Sequence, residues 1–152
     1  MADEESEREF TVRMFMSIDP LTVKEDASIV EIARSMADRG VGACFVERDG
    51  KVVGIITERD IVRRVVAKNL DASKTRALEI MSKPIIAVDP DTSVEDALRV
   101  MSEKKIRRLA VIEKNVLVGI VTISDLAKAL LQKVEIVNMF VRAATRELPM
   151  YG

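Results

Sequence analysis

Gly54-Ile55-Ile56-Thr57-Glu58-Arg59-Asp60 and Gly119-Ile120-Val121-Thr122-Ile123-Ser124-Asp125 spell one pattern twice, and the glycine (119 − 54), threonine (122 − 57) and aspartate (125 − 60) all give an offset of 65. A chain that repeats itself at a fixed distance folds as repeated units, so this offset restricts the architecture more than any composition does. Each copy reads as the end of a buried strand running into the first turn of a helix, with Thr and Asp at the corner. Such a corner presents unpaired backbone N–H groups and the positive end of a helix dipole, which suits an anionic ligand. Two corners predict two seats.

The offset holds beyond the corners. Thr11–Met16 meets Arg76–Met81, Leu21-Thr22-Val23 meets Ile86-Ala87-Val88, and Ser28-Ile29-Val30-Glu31 meets Ser93-Val94-Glu95-Asp96. The last pair reads as a capping box, with Asp replacing Glu in the second copy. The helices that follow carry Ile29, Ile32, Ala33 and Met36 on one face, and Val94, Ala97, Leu98 and Met101 on the other copy's face. Gly40 is a natural stop for the first. Two β-rich runs come next, Ala43–Glu47 and Val52–Ile56 around Asp49-Gly50, then Leu109–Ile112 and Val116–Val121 around Lys114-Asn115. Asp-Gly is a strong hairpin signal, because Gly takes positive φ freely. Helices are expected from Thr57 through about Lys68 and from near Asp125 onward. The boundaries read as a charged lead-in over 1–10, repeat one over 11–68, a linker over 69–75, repeat two over 76–133 and a helical tail over 134–152. Fold class is therefore α/β in the α+β sense, with strand-helix-strand-strand-helix written twice. Neither half covers its own sheet, so the halves are expected to pack about a pseudo-two-fold axis with both corners in a shared cleft.

Composition removes several functions. The 152 residues suffice for one compact core or two small halves. A net charge of −1, four Phe, one Tyr and no Trp argue against nucleic-acid binding by a basic face or by base stacking. There is no His, which removes the commonest general base and zinc ligand, and no nucleophile-base constellation stands out, so an enzyme is not expected. The single Cys44 lies in the apolar run Ala43–Val46 and reads as an inert buried thiol. No apolar run is long enough to span a membrane, and the acidic start does not read as a secretory leader, so a cytoplasmic protein is expected.

The tandem Gly-apolar-apolar-Thr-x-x-Asp corners, each preceded by a hairpin, resemble a pair of CBS domains, often called a Bateman module, over about residues 12–131. The resemblance implies a β-α-β-β-α fold per repeat, regulatory rather than catalytic work, a tendency to pair into flat dimers, and adenosyl ligands: AMP, ADP, ATP or S-adenosylmethionine. It implies no required cofactor. By the same resemblance, Asp60 and Asp125 accept hydrogen bonds from ribose hydroxyls, which suits a carboxylate with two acceptor oxygens. Thr57 and Thr122 offer hydroxyls to ribose or phosphate. Read from the residues alone, Thr-x-x-Asp is equally a helix cap, and that alternative stays open. Arg107 and Arg108 match phosphate-facing positions, whereas Lys104 and Lys105 read as charge at a helix C-terminus. The first repeat has Gly42 and Ala43 where the second has Arg107 and Arg108, leaving its seat to Arg59, Lys51 or arginines reaching across. The Asp125 seat is therefore expected to bind more tightly. Backbone at Thr22-Val23 and Ala87-Val88 is implied to read the adenine edge, with Ile55 and Ile120 as walls.

Beyond the resemblance, Leu130, Val134, Val137, Val141 and Ala144 fall at helical spacing, with Met139 and Phe140 beside them. This stripe must be covered by its own module or by a partner subunit. The leading expectation is an adenine-nucleotide sensor, AMP first, which is dimeric and signals to a downstream protein. The competing expectation is a structural module whose corners are only helix caps.

Overall fold

The structure, a computed structural model, describes residues 9–145; the lead-in before Glu9 and the tail residues 146–152 lie outside the described residues. Contacts divide the chain into two compact units. One comprises Ser17–Ala87 with Ile112–Gly119, and the other comprises the chain through Met16, Val88–Val111 and the chain from Ile120 onward.

In the first unit, β2 (Thr22–Lys24) runs parallel to β3 (Ala43–Arg48), which pairs antiparallel with β4 (Lys51–Thr57), giving the order β2-β3-β4. A two-residue strand, β1 (Ser17–Ile18), precedes them. Helix α1 (Ile29–Arg39) starts at the expected capping box, with Ser28 Oγ accepting from the Glu31 amide at 3.2 Å and Glu31 Oε2 accepting from the Ser28 amide at 3.4 Å. It ends where Gly40 takes φ +64°. Ile29, Ile32 and Met36 from α1 join Cys44, Val46 and Ile56 from the strands in one buried cluster. The β3–β4 turn carries positive φ at both Asp49 and Gly50, the geometry that matches strand twist in a two-residue hairpin. Gly54 is required by contact rather than by φ: a Cβ there would lie 2.4 Å from Met81 Sδ and 2.9 Å from Met81 Cβ.

After β4 the sequence expectation needs correction. The helix is α-wound only over α2 (Glu58–Ile61) and continues as a π-wound turn, Val62–Val66, with the Ala67 amide donating to the Val62 carbonyl at 2.8 Å. Three valines among five residues crowd an α-turn, and the looser winding still buries Val65. The matching residues of the second repeat, Ala127-Lys128-Ala129-Leu130-Leu131, are strong helix formers and stay α-helical. The stretch expected as a linker is tied down: the Val30 amide donates to the Ala72 carbonyl and the Ile29 amide to the Thr75 carbonyl. Hydrogen bonds from Ser73 hold the Asp71 carboxyl below its ordinary range. Helix α3 (Ala77–Ile80) follows.

The second sheet has the order β1-β7-β6-β5, from β5 (Ala87–Val88), β6 (Arg108–Glu113) and β7 (Val116–Thr122). Helix α4 (Val94–Lys104) is capped by Ser93, but only half of the expected box forms, because Asp96 turns to Arg99 at 2.7 Å. It buries Val94, Ala97 and Met101 and ends with Lys105 at φ +56°. Helix α5 (Ile123–Thr145) runs unbroken for 23 residues, burying Leu126 and Ala129. Lys133 Nζ hydrogen-bonds the Glu95 carboxylate, holding it below its ordinary pKa, and stands 5.4 Å from the centroid of the Phe10 ring.

The opening turn of each repeat is hydrogen-bonded to the capped helix of the other. The Val94 amide donates to the Phe10 carbonyl and the Val12 amide to the Thr92 carbonyl. Correspondingly, the Ile29 amide donates to the Thr75 carbonyl and the Ala77 amide to the Ala27 carbonyl. The offset of 65 relates each bond to its counterpart (94 − 29, 75 − 10, 77 − 12, 92 − 27).

Candidate functional site

At each corner an extended strand residue becomes a helix N-cap, and the Thr-x-x-Asp pair closes a reciprocal capping box. In the first unit the Asp60 amide donates to Thr57 Oγ1 at 3.2 Å, and the Thr57 amide donates to Asp60 Oδ2 at 2.9 Å. In the second the Asp125 amide donates to Thr122 Oγ1 at 3.2 Å, and the Thr122 amide donates to Asp125 Oδ2 at 2.8 Å. The Thr122 hydroxyl donates to the same Oδ2 at 3.0 Å. Capping, one of the two readings the sequence left open, is therefore built at both corners.

A further backbone contact, not foreseen from sequence, shapes each corner. The Glu58 amide donates to the Gly42 carbonyl at 3.0 Å, and the Ile123 amide donates to the Arg107 carbonyl at 2.9 Å. The offset of 65 relates these two bonds as well, which is the signal that would have revealed them (123 − 58, 107 − 42). The N–H groups expected to face an anion are thus mostly occupied; the amide of the second helical residue, Arg59 or Ser124, remains outside this set.

The corners differ in what surrounds the second carboxylate oxygen. Asp60, whose side chain is 14 % exposed, has Arg64 Nε 3.9 Å from Oδ1, and the same guanidinium donates to the Ile80 carbonyl at 2.7 Å. Asp125 has Ala129 at the equivalent place, and among the described residues its Oδ1 has no partner. Sequence reasoning missed Arg64, although an acid followed four residues later by a base is a recognisable helical pair.

The other expected residues fall around these corners. Arg107 joins the Asp125 corner through its carbonyl, with its side chain exposed; half-buried Arg108 opens β6. Neither guanidinium has an ion-pair partner among the described residues. Arg59 is exposed on α2, and Lys51 is exposed at the start of β4, apart from the Thr57 end. Ile120 and Ile55 are half-buried, and Ile55 exchanges backbone hydrogen bonds with Ser82 at 3.0 and 2.9 Å. Exposed Thr22 and half-buried Val23 lie on β2, and exposed Ala87 and half-buried Val88 on β5, next to β6. A concavity of about 420 Å³ on the first unit is lined by Val23, Lys24, Asp26, Ala27 and Arg76 among others and contains none of the corner residues. Among the described residues no helix is long and apolar enough to cross a membrane.

Comparison with known proteins places this geometry. The sequence pattern of the CBS domain matches residues 12–67 and again 77–132. The uncharacterized protein MK0525 of Methanopyrus kandleri is 40 % identical over 111 residues, 71 % of this chain and 56 % of that protein, so the chain spans about half of that relative. CBS domain-containing protein YhcV of Bacillus subtilis is 38 % identical over 117 residues, 77 % of this chain and 83 % of that protein. Among solved structures, the CBS domain pair of protein MJ0100, in complex with 5′-methylthioadenosine and S-adenosyl-L-methionine, superposes with a TM-score of 0.74 at 29 % identity, covering 83 % of this chain and 99 % of that one. A hexameric CBS-CP12 protein from bloom-forming cyanobacteria gives a TM-score of 0.75 at 25 % identity, covering 94 % and 91 %. With both repeats matched, the chain belongs to the CBS-domain family.

Proposed function

We propose that the chain is a cytoplasmic regulatory sensor whose Asp125 corner binds an adenine nucleotide, AMP ahead of ADP and ATP, and passes its occupancy to a downstream protein. One observation carries this reading: among the described residues a capped aspartate keeps Oδ1 unpartnered, while Arg107, whose carbonyl joins the corner, and the adjacent Arg108 have no ion-pair partners. A carboxylate oxygen suits a ribose hydroxyl, and guanidinium forks suit one or two phosphates. At the Asp60 corner Arg64 already faces the corresponding oxygen and Gly42 stands where Arg107 would, so that seat is the weaker. A regulatory rather than catalytic role accords with family membership, and AMP should be recovered unaltered. The module pairs with a second copy through its repeats, where the exposed Val62 and Val66 of the π-wound turn offer apolar surface.

A second reading has its own support. The MJ0100 pair is described with S-adenosyl-L-methionine, which shares the adenosyl group but offers the arginines only a carboxylate. A third, that both corners are caps and nothing more, accords with the capping geometry. Calorimetry with AMP, ADP, ATP, S-adenosylmethionine and 2′-deoxy-AMP separates them. Asp125→Ala should weaken AMP by roughly 10- to 100-fold, the loss of one charge-assisted hydrogen bond. Arg107→Ala with Arg108→Ala should weaken AMP more than S-adenosylmethionine. Unchanged AMP binding by Asp125→Ala, with only its stability lowered, would leave the caps-only reading standing.

A further inference from the structure

Among the described residues, exposed large apolar side chains cluster on the distal half of α5. Up to Lys133 the helix is held by its own unit, through Leu126, Ala129 and the Lys133 contacts with Glu95 and Phe10. Beyond it, Val137 is 59 %, Met139 67 % and Phe140 74 % exposed, and Val134, Ile136 and Val141 are more than half exposed. Leu130, Val134, Val137, Val141 and Ala144 are spaced alternately four and three residues apart, and exposed Ile123 and Ala127 extend the same series toward the corner. That is a 3.5-residue repeat across three heptads, the period of a two-stranded coiled coil rather than of a helix lying on a globular surface.

We propose that α5 pairs along this stripe with α5 of a second copy of the chain. The stripe complements itself: valines occupy one class of core position (134 and 141), while Leu130 and Val137 fill the other. From Ile123 to Ala144 the helix is about 33 Å long and presents on the order of 700 Å² along one side, close to what one partner of a stable complex buries. Its only charges beyond Lys133 are Glu135 and Arg142, which cancel, so nothing selects an oppositely charged partner. The opposite side, with Gln132, Glu135, Ile136 and Met139, carries no lysine or arginine and so lacks the basic density of a helix that lies on a lipid surface. The pairing goes beyond the nucleotide reading and does not depend on it.

Light scattering and sedimentation of the full chain test the pairing. Val137→Glu with Val141→Glu places two charges in the seam without touching the body of either unit, and Glu keeps helix propensity high. Measured in a Val62→Glu, Val66→Glu background, so that pairing through the repeats does not mask the seam, the mass should fall to half or less, with the association constant lowered roughly tenfold or more. Gln132→Glu with Met139→Glu adds the same charge on the opposite side and should leave the mass unchanged. Circular dichroism confirms that both variants fold, and AMP calorimetry on the same samples reports separately on the corner. A seam variant that keeps the parental mass, a control that lowers it equally, or a parent that stays monomeric at high concentration would each overturn the proposal.

Discussion

Asp60 and Asp125 occupy matching places and make matching caps, yet one residue separates their chemistry: Arg64 in the first repeat, Ala129 in the second. A charge brought to 3.9 Å on a neighbouring turn competes with any hydroxyl for the same oxygen. At the same scale Cys44 makes a different point. It is 1 % exposed, and burial raises its pKa from 9.0 to about 12. An acid whose folded pKa is raised favours the folded state fully below its unfolded value, and that contribution is lost as pH rises through the folded one. Stability should therefore carry a term falling between about pH 9 and 12 at up to about 1.4 kcal/mol per pH unit. The difference in urea midpoint between the parent and Cys44→Ala, followed from pH 8 to 11, reads this term free of the lysines and the tyrosine. A difference that does not change with pH would show that Cys44 ionises in the folded protein as it does in the unfolded chain.

Among the elements, the α1 and α4 terminations form a controlled comparison. Both end on a residue in the left-handed region, Gly40 at φ +64° and Lys105 at φ +56°, but only glycine adopts that region without steric cost. Lys105→Gly should raise the urea midpoint by the equivalent of about 0.5–1 kcal/mol, and Gly40→Lys should lower it by a similar amount. A fall for Lys105→Gly would mean that the lysine side chain has a role its backbone conformation does not reveal. The elements themselves were largely legible. β-Rich runs on either side of Asp49-Gly50 and Lys114-Asn115 mark β3, β4, β6 and β7, and Ser28 with Glu31 marks the start of α1, because those signals rest on contacts local in sequence. What was not legible has two sources, pairing with distant strands and local crowding. Strand β1 exists only because a neighbour pairs with it, and the π-wound turn reflects valine crowding that a helical pattern does not register. In the candidate site, the Thr-x-x-Asp spacing marks Thr57, Asp60, Thr122 and Asp125, which form the reciprocal caps. The Gly42 and Arg107 carbonyls that occupy the first helical amides were not legible, because backbone acceptors leave no mark on residue type.

For the whole molecule, the repeat in the sequence and the compact unit in space are different objects. Thr11–Met16 groups with Val88–Val111, while Arg76–Met81 groups with the strands of the first repeat. The bonds from Val12 to Thr92 and from Ala77 to Ala27 are those on which this exchange turns. Severing the polypeptide between exposed Ser73 and Lys74 should accordingly yield not two half-size proteins but two interdependent fragments, each missing a strand of hydrogen bonds the other supplies. Coexpressed, they should copurify and melt as one species; expressed singly, neither should unfold cooperatively. A gene of this design cannot be shortened to one repeat without orphaning the amides at the start of its own helix, so duplication here became a condition of folding.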